Sequence, residues 1–342
     1  MKEIRTKAKE LMKGFCRLCP VCDGRACAGE VPGIGGAGTG GSFKNNFDAL
    51  AGLKLNLRTI HGAKSPGTQV NLLGLDLDLP VLAAPVAGTS FNLSSQVSEE
   101  DYIRAYLSGC VDKGTMAGFG DAALETIFEA ALAATRELDG AAIPFLKPWA
   151  EEELLAKIER VRAVGCPAVG VDIDAAGLIT LALMGKPVSP KTTTEWRRII
   201  SQTDLPFIFK GVMTPEEALL AVEAGAAAIV VSNHGGRVLD HTPGTAQVLP
   251  AIAKAVQGKI TILADGGVRS GGDVVKMMAL GADAVMIGRP FAQAAIGGGR
   301  EGMGSYLDQL KNEFIQAMVL TGCPNPSSIG PQVLFNPPGG LD

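Results

Sequence analysis

Four residues placed where apolar runs end can together do acid–base chemistry on an anionic substrate. His234 lies in "IVVSNHGGRVLD" (229–240), where an apolar run breaks into Asn, Gly and Arg, and it is one of only 3 histidines in the chain. Imidazole is the side chain suited to taking up and releasing a proton near neutrality. Arg237 follows three residues on and carries the paired N–H donors that fit a carboxylate. Lys210 ends "LPFIFKG" (205–211) and Asp174 falls in "AVGVDIDA" (168–175), adding a cation and a carboxylate at the ends of apolar runs. His61 and His241 have no such company and are expected at the surface.

Two further stretches suit an anion. "ADGGVRSGGD" (264–273) and "IGRPF" (287–291) place glycines, whose backbone N–H groups can approach a phosphate, beside Arg269 and Arg289 and ahead of helix starts. A third glycine stretch, "GIGGAG" (33–38), matches G-x-G-x-x-G. It lacks the preceding strand and following helix of a dinucleotide site, so a flexible connection is expected there. Of the 7 cysteines, Cys16, Cys19, Cys22 and Cys27 crowd into "CRLCPVCDGRAC" as C-x2-C-x2-C-x4-C. Such spacing points to metal or redox chemistry, with an iron–sulfur cluster and tetrahedral zinc both open. Cys110, Cys166 and Cys323 are scattered in apolar contexts and read as buried thiols.

Elements must hold these residues together, and the chain from residue 79 onward supplies them by repetition. The apolar runs 79–85, 115–120, 142–149, 168–175, 205–211, 227–233, 260–267 and 282–289 alternate with segments of helical period. In "TPEEALLAVEAG" (214–225), Thr214 is a candidate cap and Pro215 fits the first turn. Near-continuous apolar strands covered on both faces and eight regular units predict an α/β protein, a (β/α)8 TIM barrel. Pro85, Lys147, Asp174, Lys210, His234, Asp265 and Arg289 then gather at the carboxyl ends of the strands, the face where barrels do chemistry. The division expected is a Cys- and Gly-rich N-terminal extension, 1–45, followed by the barrel, 46–342.

Composition narrows the class. The chain has 342 residues, 46% hydrophobic and 19% charged, with a net charge of −4, which suits an ordered globular protein and argues against a dedicated nucleic-acid binder. No apolar run reaches the ~18 residues of a membrane span. The charged start, "MKEIRTKAKELMKG", has no apolar block behind it, so a cytoplasmic protein is expected.

The stretches "FKGVMTPEEALLAVEAGAAAIVVSNHGGRVLDHTPGTAQVLPAIA" and "ILADGGVRSGGDVVKMMALGADAVMIGRPF" resemble the FMN-dependent 2-hydroxy-acid dehydrogenase and oxidase family. The resemblance is continuous from about 205 to 325 and faint before 45. It implies bound FMN and oxidation of a 2-hydroxy acid, lactate- or glycolate-like, to the 2-oxo acid. It makes His234 the base, Asp174 its partner, Arg237 the clamp of the substrate carboxylate and Lys210 the cation beside the flavin pyrimidine edge. Ser232, Asp265, Gly266, Gly267, Arg269, Gly288 and Arg289 would contact the cofactor, and Ala84, Pro85 and Val86 would support its ring. It also implies a small-molecule substrate, an unidentified electron acceptor and a homo-oligomer.

The departures from that family concern the substrate end. Lys147 and Asp172 stand where Gln and Thr are usual; Lys147 is expected either to replace a lost substrate cation or act on the flavin, or to form a salt bridge with Asp172 or Asp174. Trp149 takes the place of a substrate-binding tyrosine. The 3 tyrosines, Tyr102, Tyr106 and Tyr306, fall in helices outside the mouth, while Asp121 is left near it. Two other functions stay open: an FMN barrel without net redox, like the type 2 isopentenyl diphosphate isomerase, and a non-catalytic flavin or metal redox sensor.

Overall fold

The eight apolar runs become eight parallel strands of one ring. In this computed structural model, which describes residues 1–178, 181, 184–186 and 188–337, they are β1 (Val81–Ala83), β2 (Gly118–Gly120), β3 (Ile143–Leu146), β4 (Val169–Asp172), β5 (Phe207–Val212), β6 (Ala228–Val231), β7 (Thr261–Ala264) and β8 (Ala284–Ile287). Each strand from β2 to β8 pairs with the next, and β8 pairs with β1, all in parallel. A bridge between Ala83 and Ala117 joins β1 to the start of β2 and closes the barrel.

Alternation along the strands sorts the core into two parts. Leu82, Phe145, Ile208, Val230, Leu263 and Met286 belong to a cluster inside the ring, whereas Val81, Ala83, Ile229, Val231 and Val285 pack outward against the helices. Both faces are thereby dry, which explains strands without polar alternation. A hairpin of Val70–Leu72 and Leu75–Leu77 adds Leu72 and Leu77 to the inner cluster at the amino end of the barrel.

The helices follow the strands in order: α1 (Glu99–Val111), α2 (Glu125–Arg136), α3 (Glu151–Ala163), α4 (Thr193–Ile200), α5 (Pro215–Ala224), α6 (Thr245–Val256), α7 (Gly271–Ala279) and α8 (Arg289–Thr321). Thr214 does cap α5, accepting from Glu217 N–H, with Pro215 in the first turn; Ser270 caps α7 through Asp273 N–H. Helix α8 is interrupted at Gly299. Among the described residues no helix is long and apolar enough to cross a membrane.

The N-terminal segment does not dangle. Helix Lys2–Leu11 packs on α8, and helix Gly41–Gly52 runs across position 45, lying against α6. The glycine stretch 33–38 is not the flexible connection its composition predicts: Gly33, Ile34, Gly35 and Gly36 are buried. Ala37 N–H donates to Gly236 O at 2.8 Å and Thr39 N–H to Asp240 Oδ2 at 2.5 Å, so the segment is laid on the loop after β6. Gly236 has φ 78°, and a Cβ there would run into the Phe43 backbone, which is why only glycine admits this approach.

Candidate active site

The carboxyl ends of the strands open into a cavity of roughly 470 Å³. Its floor includes Ala84, Pro85 and Val86 from β1 and the glycines Gly266, Gly267 and Gly288 beyond β7 and β8, with Lys147, Lys210 and His234 on its wall. Tyr106, buried in α1, fixes the end of β1 by donating its hydroxyl to Ala84 O at 2.6 Å. At the other end the lining is apolar: Phe91, Leu93, Leu124, Leu178, Leu181 and Met184.

His234 stands in the left-handed region, φ 56°, a conformation unusual for a residue with a side chain. Its N–H is held by Ser232 Oγ at 3.0 Å, and Ser232 in turn donates to Asp265 Oδ2 at 2.8 Å. The imidazole Nδ1 lies 3.0 Å from Asp174 Oδ1. A carboxylate only accepts, so Nδ1 carries the proton and Nε2 is left as the basic atom. Residues 60 positions apart thus meet because β4 and β6 both end at this face.

Lys147 and Lys210 meet on Asp172. Lys147 Nζ is 2.6 Å from Asp172 Oδ2 and Lys210 Nζ 2.9 Å from Oδ1, all three groups buried. The salt bridge expected between Lys147 and Asp172 is therefore present, and Lys210 shares it. Burial alone would push the Asp172 carboxyl up, but the charges of Lys147 and Lys210 outweigh it and hold it well below the usual range. Lys210, despite its burial, is held above the ordinary lysine value by Asp172, Asp174 and Asp265. Asp172→Asn is expected to cost about 3–5 kcal/mol, because two buried ammonium groups lose a shared partner, and urea unfolding measures it. The sign with pH follows from the depressed value: the carboxylate's contribution stands above the ordinary Asp range and is lost only as pH falls toward the folded-state value. The loss of stability on acidification should therefore be shallower in the Asn variant.

Three arginines surround the mouth. Arg237 donates Nη1 to Gly33 O and Nη2 to Asn92 Oδ1, the latter at 3.2 Å. Arg289 donates to Ile34 O, Gly35 O and Gly235 O at 2.7–3.0 Å and lies 3.7 Å from the Phe43 ring centre. Each opens in part to the cavity while protein surrounds its guanidinium. Burial pushes Arg237 down to about 10, and burial with the nearby charges of Arg237 and Arg269 pushes Arg289 down to about 9. Neither has a carboxylate partner among the described residues. Asp174 Oδ2, Asp265 Oδ1 and Arg269 Nε are also buried without a hydrogen-bond partner. Half-buried cations without a carboxylate, beside buried polar atoms left in this state, suit something anionic and polar.

Most of the residues expected at the site line the cavity, but four do not: Asp172 and Asp174 stand behind Lys147, Lys210 and His234, and Trp149 and Ser232 are turned away. Trp149, 2% exposed, is withdrawn into the core and gives its indole N–H to Asp121 Oδ2, while the other oxygen, Oδ1, pairs with Lys157. It is not among the residues that line the cavity. Ser232 spends its hydroxyl on Asp265 and the His234 backbone. Two contributors went unnoticed in the sequence: Asn92, which accepts from both Arg237 and Gly33 N–H, and Asn46, which donates to Asn233 Oδ1 at 2.7 Å and so helps to fix the turn after β6. Their only signal was polar residues set among glycines. His241 is exposed, as expected.

Comparison with known proteins points the same way. The profile of the FMN-dependent dehydrogenase family matches residues 34–181 and 180–336. An L-lactate oxidase of Lacticaseibacillus rhamnosus is 31% identical over 322 residues, covering 84% of each chain. A peroxisomal (S)-2-hydroxyacid oxidase of Arabidopsis thaliana is 52% identical over 130 residues, but that stretch spans only 38% of this chain and 35% of the relative. Among solved structures, a mandelate oxidase crystallised with 3,3-difluoro-2-hydroxy-3-phenylpropionic acid superposes with a TM-score of 0.77 at 28% identity, covering 98% of this chain and 97% of that one.

Proposed function

Since the chain belongs to the FMN-dependent dehydrogenase family, we propose that it oxidises a 2-hydroxy acid with an apolar side chain to the 2-oxo acid, using FMN. The observation that carries this reading is the juxtaposition, across one cavity, of a carboxylate-paired imidazole and guanidiniums with no acid of their own.

The residues present fit FMN. Unpaired Asp265 Oδ1 and Arg269 Nε, the glycines at 266, 267 and 288, and the cationic side of the cavity suit a group that is polar at its ring edge and anionic at its phosphate. Lys147 and Lys210 would face its polar edge, Pro85 and Val86 would lie under the ring, and Arg269 and Arg289 would serve the phosphate. Bound there, FMN supplies the two-electron acceptor. Arg237 binds the substrate carboxylate through paired N–H groups and so fixes which end of the acid enters. His234 accepts the substrate proton at Nε2, and Asp174 stabilises the resulting imidazolium while holding the ring in place. Lys210, kept charged by Asp172, favours negative charge beside it as electrons arrive. Phe91, Leu124, Leu178 and Leu181 exclude water and take the side chain.

The test is the visible spectrum of protein purified without air, before and after addition of lactate, glycolate, mandelate and branched aliphatic 2-hydroxy acids. Bleaching of bound flavin is expected, strongest with the larger apolar acids. Bound flavin that none of them reduces would sink the assignment and favour a barrel without net redox.

A further inference from the structure

The function above leaves the four N-terminal cysteines unused. All four thiols are free and partly exposed, and all four line one pocket together with Arg289 and Gln293. The segment that carries them is tied down: Arg5 donates to Leu18 O and Cys19 O, Arg17 pairs with Glu30, and Arg25 pairs with Asp23 and Asp48. Donors point at the sulfurs. Leu18 N–H is 3.4 Å and Gln293 Nε2 3.6 Å from Cys16 Sγ, and Arg269 Nη2 is 3.7 Å from Cys22 Sγ. Such contacts stabilise ligating thiolates and tune what they hold.

The spacing of the thiols chooses between the candidates. Four sulfurs around one zinc, at Zn–S of about 2.3 Å, stand about 3.8 Å apart. Among the described residues, Asp172, Asp174 and His234 form the one group of three or more possible ligands whose atoms all lie within 4.8 Å, so no three of these thiols draw together to that spacing. A cubane cluster, offering a separate iron to each thiolate, is the group that spans four thiols held apart. Cys16, Cys19 and Cys22 have the C-x2-C-x2-C spacing that supplies three ligands of one such cluster, and Cys27, lining the same pocket, would supply the fourth.

Resting on the flavin reading of the barrel mouth, we propose that Cys16, Cys19, Cys22 and Cys27 ligate a 4Fe–4S cluster that carries the substrate's electrons out of the protein. Ile34 and Arg289 line both this pocket and the barrel cavity, so one layer of side chains separates the two. On the outer side Val21 is 53% exposed, leaving a face open to a partner. Oxidation of one 2-hydroxy acid releases two electrons and two protons. The cluster takes one electron at a time, so an external one-electron acceptor of the ferredoxin or cytochrome class is reduced twice per turnover, and the protons pass to solvent.

The experiment is iron, sulfide, zinc and flavin analysis of the full chain purified without air, with electron paramagnetic resonance before and after adding the acid that bleaches the flavin. About four iron and four sulfide per chain are expected, with a signal that develops on substrate addition and is lost in Cys19→Ser and Cys22→Ser. Zinc in place of iron overturns the proposal, as does protein that binds FMN yet stays iron-free after reconstitution with iron and sulfide. A cluster that stays oxidised while the flavin bleaches overturns the electron route. Iron and sulfide without flavin would instead remove the reading of the barrel mouth and leave the cluster standing.

Discussion

His234→Ala is expected to lower the rate of flavin reduction by a 2-hydroxy acid by about 10²–10⁴-fold, the usual worth of a positioned base, while FMN stays bound. The imidazole is oriented by Asp174 at 3.0 Å and exposes Nε2 to the cavity. Its backbone N–H, on Ser232 Oγ, survives the substitution, so the turn after β6 keeps its shape. Anaerobic stopped-flow reduction measures the effect directly. Reduction within a few-fold of the parent would mean that another group takes the proton.

Arg237→Leu acts on binding. Losing a charge-assisted, paired contact to the substrate carboxylate costs about 2–5 kcal/mol, roughly 30- to several-thousand-fold in kcat/KM. Most of it should fall on KM, because the carboxylate is held alike before and during reaction. Arg237 also holds Gly33 O and Asn92 Oδ1, so a loss could come from a loosened mouth. Comparing a 2-hydroxy acid with its uncharged methyl ester separates the two causes. A clamp loses its advantage only for the acid, whereas a loosened mouth penalises both equally. Equal losses would remove Arg237 from the carboxylate.

Local pattern carried most of the barrel and half of the site. Eight apolar runs, each followed by a helical period, specify strand and helix without knowledge of distant partners, and "the residue at the end of a run" then specifies the catalytic face. His234, Asp174, Lys210 and Arg237 were legible on that ground. Choices between neighbouring partners were not. Whether Lys147 pairs with Asp172 or Asp174 depends on register: Asp172 ends β4 opposite Lys210, whereas Asp174 lies beyond the strand, where it reaches His234. Trp149 turned inward because Asp121, from the end of β2, offers its indole N–H a buried acceptor. The glycine stretch 33–38 read as loose for want of side chains. That same want lets its carbonyls come against Arg237 and Arg289, contacts that span more than 200 residues of sequence.

The strap formed by residues 33–43 therefore governs time as well as geometry. It crosses the barrel face from which a phosphate-bearing group would enter, tied at Arg289, Gly236 and Asp240. Exchange of anything seated beneath it has to wait for these ties to release together, as a local opening of the kind that amide exchange detects. Uptake and escape are then expected to follow the frequency of that opening, and retention of a cofactor to depend on these ties as well as on the pocket beneath them.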